Sequence, residues 1–224
     1  MFDLKLIEFQ ELECETTDNG RFYATPEGKS YPSVTTVLGK TKDQSHLDEW
    51  ATRMDSFWGE GAAARESKRT SDRGSALHLL CEKLILNQPY NLRQEMPVPV
   101  QLFCQLRPIL LENVNNIMAV EAPLFSNYLG VAGRVDLVAE FKGRRSIIDY
   151  KSSNKVKDRD WIEDYFIQTA MYSVMFEERT CIPIPQLVIL IGNEQSIKPS
   201  IFVEKRDDWI YKGIDRIKQY NACF

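Results

Sequence analysis

The sequence predicts an α/β fold in which a mixed β-sheet is flanked by helices, with a mostly helical N-terminal part. Apolar residues recur at helical spacing through much of the first 116 residues. From residue 117 onward, strand-like segments alternate with helical ones, which is typical of a mixed sheet. We find no internal repeat, low-complexity run or linker, so we expect one domain over residues 1–224, with its α/β core at about 117–224.

The N-terminal part is predicted from turn, capping and periodicity signals. Asn19-Gly20 lies between alternating segments and indicates a hairpin. Ser33 is placed to cap a short helix, and residues 59–70 suggest either a mobile connection or a weak helix. The predicted longer helices are 46–58, 73–86 with Ser71 or Asp72 as its cap, and 98–116.

The C-terminal part contains the predicted sheet. The expected elements, in order, are a strand at 117–125, a hairpin at 131–151, a helix at 159–177, strands at 186–192 and 199–204, and a closing helix at 207–220. Strands flanked by helices on both sides in sequence indicate a mixed α/β sheet.

Composition places loose limits on function. A content of 43% hydrophobic and 27% charged residues is typical of soluble globular proteins. The net charge of −4 does not indicate a nucleic-acid binder, although a local basic groove would be enough for one. No apolar run reaches about 18 residues, so we expect no membrane span.

The cysteines and the N-terminus indicate a reducing compartment. The five cysteines are scattered and include no Cys-x-x-Cys, which argues against a disulfide framework, a zinc site and an iron–sulfur cluster. The first residues carry acids early and resemble neither a secretory signal nor a transit peptide. We therefore expect a cytoplasmic location, in a bacterium or a phage-infected host.

The hairpin in the middle of the chain carries the strongest chemical signal. Pairing its two strands about a tight Lys142-Gly143 turn places Asp136 directly opposite Asp149, with Lys151 on the same face as Asp149. Facing carboxylates repel each other, and a bound divalent cation would explain them. A neighbouring Lys could stabilise charge that develops on a phosphate. On this argument, Asp149→Ala should raise the stability of the metal-free protein.

Four motifs follow one another with plausible gaps, at residues 73–78, 133–136, 149–153 and 168–172. They contain His78, the pair Gly133 and Asp136, the run Asp149-Tyr150-Lys151-Ser152-Ser153, and Gln168 with Tyr172. Together with Pro32-Ser33-Val34-Thr35, the series resembles the PD-(D/E)XK nuclease superfamily in its RecB-like exonuclease branch, and in particular the mitochondrial genome maintenance exonuclease group. The resemblance covers about residues 30–220.

The resemblance implies a restriction-endonuclease-like sheet and roles for individual residues. It implies that Asp136 and Asp149 bind one or two Mg²⁺ or Mn²⁺ ions, that His78 contributes to the metal site, and that Lys151 acts near the attacked phosphate. It also implies that Gln168 and Tyr172 shape the site and touch DNA, and it places Ser152 and Ser153 at the DNA. An iron–sulfur cluster found in some relatives is not expected here.

Further candidates come from the residues around these motifs. Glu121 on the preceding strand could add a metal ligand or a water contact. Three basic residues, Arg69, Arg73 and Lys155, could contact phosphates, although charged runs are most often solvated surface. Trp50, Phe57 and Trp58 could stack on bases, with core packing the more ordinary role for Trp50 and Phe57.

These observations predict a metal-dependent deoxyribonuclease, specifically an exonuclease that prefers single-stranded ends. We expect DNA as its substrate, replication or recombination proteins as partners, and a role in replication, recombination or repair. Two alternatives remain at this point: a structure-selective or recombination endonuclease on the same fold, and a non-catalytic DNA-binding module.

Overall fold

The computed structural model describes residues 1–43 and 45–223. Its helices are α1 Val34–Lys40, α2 Ser45–Trp58, α3 Ala62–Ile85, α4 Pro97–Asn113, α5 Glu163–Thr180 and α6 Ile210–Cys223. Its strands are β1 Glu13–Thr17, β2 Gly20–Ala24, β3 Ser30–Pro32, β4 Val114–Ser126, β5 Val131–Phe141, β6 Arg144–Ser153, β7 Gln186–Asn193 and β8 Ser200–Lys205. Short 3₁₀ turns precede α5 and α6.

The main sheet has five strands in the order β4-β5-β6-β7-β8. Neighbouring strands are antiparallel except β6 and β7, which are parallel. Parallel neighbours need a crossover connection, and α5 supplies it. The predicted mixed sheet flanked by helices is confirmed.

Two apolar cores cover the two faces of this sheet. Residues of α1, α5 and α6 pack on one face and form the first core, with Phe166, Met171 and Phe176 at its centre. Residues of α3 and α4 pack on the other face and form the second core, around Leu77 and Phe103. The interior strand β7 is buried along its whole length, because helices cover both of its faces.

The N-terminal segment forms a second, three-stranded sheet, in the order β1-β2-β3. The hairpin indicated by Asn19-Gly20 is present, with Thr17 paired to Gly20. Ser33 caps α1 as predicted: its hydroxyl oxygen accepts the backbone N–H of Thr36 at 2.9 Å. A bridge between Ser33 and Ala132 connects this segment to β5.

Helix α3 is longer than the sequence predicted. It begins at Ala62 rather than near residue 73, so residues 62–70 are helical and the predicted cap lies inside the helix. Residues 62–69 are mostly Ala, Arg, Glu and Lys, which are strong helix formers, and burial of Ala62 and Ala63 adds stabilising packing. Ion pairs within the helix, such as Lys68–Asp72 at 2.8 Å, add local support.

Among the described residues, no helix is both long and apolar enough to cross a membrane.

The central hairpin has the predicted register as far as its ladder extends. Lys142 and Gly143 form the turn with φ values of 52° and 75°, as a type I′ turn requires. The pairs run from Phe141–Arg144 to Leu137–Ile148. The next pair would be Asp136–Asp149, and the ladder does not include it, so the direct opposition of these two carboxylates was a wrong expectation.

Candidate active site

The site lies where β5 and β6 stop pairing. Beyond the Leu137–Ile148 pair, Asp136 Oδ2 accepts the backbone N–H of Tyr150 at 2.9 Å. A carboxylate thus takes the place of the strand carbonyl that a regular ladder would offer to this amide. As a result, the Asp136 carboxylate is held in the gap between the two strands.

The same position is irregular on the other side of β5. Val120 pairs with Leu137 and Ala122 pairs with Val135, but the pair between them, Glu121–Asp136, is absent from the ladder. Glu121 has a φ of 45°. A positive φ is uncommon for a residue with a side chain, and such strain clusters at functional sites.

This left-handed residue changes which face of the sheet each side chain occupies. In β5, Val135 belongs to the first core, whereas Leu137 and Ala139 belong to the second. In β4, Ala119 and Ala122 both belong to the first core although their numbers differ in parity. Regular strands alternate faces strictly, so the alternation shifts in both strands at Glu121 and Asp136.

His78 reaches this irregular position from α3. Its Nε2 lies 2.8 Å from the carbonyl oxygen of Tyr150, and its Nδ1 lies 3.5 Å from Asp136 Oδ2 and 3.7 Å from Glu121 Oε1. An Nε2–H that donates to the carbonyl leaves Nδ1 facing the carboxylates. Burial lowers the pKa of His78, but the charge of Asp136 and the contact with Glu121 outweigh burial and raise this pKa to about 9.

Asp149 and Lys151 form a buried ion pair beside this cluster. Lys151 Nζ donates to Asp149 Oδ1 at 2.7 Å and lies 2.6 Å from Oδ2, without hydrogen-bond geometry to that second oxygen. Only 3% of the Asp149 side chain is exposed. Burial raises the pKa of Asp149 to about 6, although Lys151 opposes the rise. Lys151 Nζ also lies 5.1 Å from the centre of the Tyr165 ring.

The arrangement fits a divalent cation. One ligand atom from each of His78, Glu121 and Asp136 lies within 4.8 Å of the others. Metal-binding histidines commonly donate their second ring N–H to a carbonyl, as Nε2 does here. Asp149 adds a buried carboxylate whose Oδ2 lies beside the Lys151 ammonium but accepts no hydrogen bond. Carboxylate oxygens are the ligands that Mg²⁺ and Mn²⁺ prefer.

Gln168 and Tyr172 lie at the site on one face of α5, as their spacing indicated. Gln168 Nε2 donates to the Tyr172 hydroxyl at 3.5 Å. The Tyr172 ring lies against Gly133 of β5: a Cβ at Gly133 would come within 2.8 Å of this ring. Gly133 is therefore required because the aromatic ring and the strand backbone approach so closely. Any contact of these residues with DNA stays a prediction.

Arg73 differs most from its predicted position. It is 6% exposed, and its guanidinium donates to Ser152 Oγ at 3.2 Å, to Asn154 Oδ1 and to Glu194 Oε1. A buried guanidinium that donates to three protein oxygens is not presented to a phosphate, so a structural role replaces the expected DNA contact. Ser152 is correspondingly engaged with Arg73.

The remaining predicted DNA contacts vary in accessibility. Arg69 is half-exposed and donates two hydrogen bonds of 2.8 Å to the Glu66 carboxylate. Ser153 is buried, and its hydroxyl donates to the carbonyl of Lys155 at 2.7 Å. It therefore shapes the turn after β6 and has no surface to offer a ligand. Lys155 itself is exposed.

Helix α2 exposes aromatic side chains. Phe57 and Trp58 are 79% and 67% exposed, so core packing was the wrong alternative for Phe57. Trp50 is half-buried. A groove between α2 and α3 reaches Asn154, three residues beyond Lys151. Its lining consists of Leu47, Trp50, Met54, Glu66, Ser67, Thr70 and Asn154.

Sequence reasoning overlooked two side chains that contact the site. Tyr165 lies one turn before the predicted Gln168, and its ring faces Lys151. Arg134, within the Gly133–Asp136 motif, donates to the backbone carbonyl of Glu121. The only available signal for both was proximity to a motif.

Comparison with known proteins identifies the family. A family model described as the PD-(D/E)XK nuclease superfamily matches residues 42–209, which is most of the chain. The chain belongs to this superfamily. The predicted superfamily is thereby confirmed, and the match spans His78, Glu121, Asp136, Asp149 and Lys151.

Similar curated proteins are mitochondrial genome maintenance exonucleases. Mitochondrial genome maintenance exonuclease 1 of Xenopus tropicalis is 27% identical over 147 residues, which is 63% of this chain and 42% of the relative. The Mus musculus protein of the same name is 30% identical over 131 residues, 57% of this chain and 38% of the relative. The chain therefore spans about two fifths of the length of these relatives.

Among solved structures, the crystal structure of SSO0001 aligns with a TM-score of 0.37 and 15% sequence identity. The alignment covers 75% of this chain and 70% of that one.

Proposed function

We propose that the protein is a Mg²⁺- or Mn²⁺-dependent exonuclease that hydrolyses DNA from single-stranded ends. The observation that carries this proposal is the convergence of His78, Glu121 and Asp136 beside the buried Asp149–Lys151 pair. The superfamily is one of nucleases, and the similar curated proteins are named exonucleases. An enzyme of this kind would serve DNA replication, recombination or repair, alongside other proteins of those processes.

In the proposed mechanism, each side chain has one task. His78, Glu121 and Asp136 would hold the cation, and Asp149 would offer its Oδ2. A divalent cation bound there would supply a hydroxide nucleophile by lowering the pKa of water. Lys151 keeps its proton, since the charges of Asp149 and Asp136 raise its pKa against the opposing effect of burial. Its ammonium stabilises the negative charge that develops on the attacked phosphate.

The distribution of charge and aromatic rings supports the proposed preference for single strands. Basic side chains at the start of α3 are engaged by acids, as in Lys68–Asp72 and Arg69–Glu66, and the net charge is −4. Such a surface attracts duplex DNA weakly. The exposed rings of Phe57 and Trp58 offer stacking surfaces, which only unpaired bases can use.

The test is digestion of end-labelled single strands and of covalently closed circles of the same sequence, with Mg²⁺ or Mn²⁺ and with EDTA. We expect rapid digestion of linear single strands, slow digestion of blunt duplex and none of circles. Cleavage of circles at a rate comparable to linear strands would favour the endonuclease alternative. Binding of either substrate without any cleavage, at every metal concentration, would favour the non-catalytic module.

A further inference from the structure

Arg134 connects three separate parts of the chain. It lies on β5, two residues before Asp136. Its Nη1 donates to the backbone carbonyl oxygen of Glu121, and its Nη2 donates to Glu11 Oε2 at 2.6 Å. One guanidinium thus ties the N-terminal segment and β4 to the strand that carries Asp136.

The carbonyl that Arg134 contacts belongs to the strained residue. A left-handed backbone at a residue with a side chain costs about 1–3 kcal/mol and persists only where the surroundings impose it. Val120 and Ala122 pair with β5, but the Glu121–Asp136 pair is missing from the ladder, so Glu121 itself has no partner in the sheet. Arg134 is in the position to hold this backbone.

The Glu121 side chain lies at the edge of a groove. It is 26% exposed, and the open groove of about 540 Å³ that it borders is also lined by Arg134. The backbone conformation of Glu121 sets the direction in which this side chain leaves β4. The Glu121 carboxylate lies 3.7 Å from His78 Nδ1, so the backbone conformation decides whether it reaches the cation site.

We propose that Arg134 is a positioning residue for the metal site. It holds the left-handed backbone of Glu121 through the carbonyl, and so keeps the Glu121 carboxylate at His78 and Asp136. Glu11 in turn orients the guanidinium. This inference rests on the proposed function, because it assumes that His78, Glu121 and Asp136 hold a divalent cation.

The experiment measures Mn²⁺ affinity by titration calorimetry, in the absence of DNA, for four full-length chains: wild type, Arg134→Gln, Glu121→Gln and the double variant. Loss of groups that orient metal ligands typically weakens affinity about 10–100-fold. We expect each single variant to bind Mn²⁺ at least tenfold more weakly than wild type. The double variant should bind no more weakly than Glu121→Gln, because Arg134 acts through Glu121.

Two further variants separate positioning from general stability. Arg206 is also a half-buried arginine paired with acids, Glu177 and Asp207, and Arg206→Gln should leave Mn²⁺ affinity unchanged. Glu11→Gln removes only the outer ion pair at an exposed position. It should weaken Mn²⁺ binding about threefold, with the melting temperature preserved, and it tests the proposal even if Arg134→Gln fails to fold.

The outcomes distinguish the positioning role of Arg134 from the metal site itself. If Glu121→Gln weakens Mn²⁺ binding but Arg134→Gln and Glu11→Gln bind within twofold of wild type, the positioning role is wrong and the metal site stands. Losses that multiply in the double variant would also overturn it, since Arg134 would then act independently of Glu121. If Glu121→Gln itself binds Mn²⁺ normally, the proposed metal site is wrong.

Discussion

Replacing Lys151 by Met should destabilise the metal-free protein as well as slow catalysis. Lys151 is the ion-pair partner of Asp149, whose side chain is 3% exposed. Removing one partner of a buried pair typically costs about 3–5 kcal/mol, because the other charge stays buried and unpaired. Asp149 can escape part of this penalty by binding a proton, since burial already raises its pKa to about 6. The loss should therefore be largest well above pH 6.

The assay is equilibrium urea unfolding at pH 8 in EDTA, for wild type, Lys151→Met, Asp149→Asn and the double variant. We expect the double variant to be about 2 kcal/mol more stable than Lys151→Met, because it no longer buries a lone charge. Asp149→Asn alone should destabilise, since it leaves Lys151 unpaired. The structure thus reverses the expectation, based on facing carboxylates, that loss of Asp149 would raise stability.

Catalysis provides the second measurement on the same variants. Under saturating DNA, Lys151→Met should lower turnover about 100-fold, as expected for loss of one transition-state stabiliser, with little change in DNA affinity. A free energy of unfolding for Lys151→Met within about 1 kcal/mol of wild type at pH 8, with a double variant no more stable than Lys151→Met, would refute the buried-charge explanation. Equal falls in affinity and turnover would instead make Lys151 a phosphate-binding residue.

Three other predictions follow from the packing and charges of the site. Gly133→Ala should lose about 1–3 kcal/mol of unfolding free energy, since its Cβ would meet the buried Tyr172 ring at 2.8 Å, and Tyr172→Leu in the same chain should recover part of it. Tyr150→Phe should be neutral or stabilising by about 1–2 kcal/mol, because the Tyr150 hydroxyl is buried without a partner; a clear loss would contradict this. The pKa of His78 is raised from 6.5 to about 9, so the metal-free native state binds more protons than the unfolded state between these pH values. The free energy of unfolding should therefore fall by at most about 3 kcal/mol as pH rises from 6.5 through 9. A wild-type free energy of unfolding that does not fall in this range, or that falls equally in His78→Asn, would contradict this origin.

The sequence was most informative where local chemistry determines structure. The Lys142-Gly143 turn and the alternation of its strands predicted the register of β5 and β6, because turn type and burial together leave little freedom of pairing. The spacing of Gln168 and Tyr172 predicted that they share one helix face, because residues four apart lie one above the other on a helix. Superfamily membership followed from the order of such motifs.

Long-range contacts explain what the sequence did not reveal. The buried Arg73 pairs with Glu194, which lies 121 residues away in the sequence. No local sequence pattern indicates a partner at such a distance. The left-handed backbone of Glu121 depends on contacts from outside β4, such as the hydrogen bond from Arg134, since glutamate has no preference for this conformation. The hydrogen bond from the Tyr150 amide to Asp136 depends on where the β5–β6 ladder ends, and side-chain alternation alone does not fix that position.

The metal-dependent mechanism is tested most directly by single-turnover cleavage of a 5′-labelled linear single strand, measured against Mg²⁺ concentration for wild type and Asp136→Asn. We predict that wild-type cleavage is absent in EDTA and saturates with Mg²⁺. Asp136→Asn should bind the strand but cleave at least about 1000-fold more slowly, because it loses a proposed ligand of the cation that supplies the nucleophile. Wild-type cleavage in EDTA, or an Asp136→Asn rate within tenfold of wild type, would contradict the proposed mechanism.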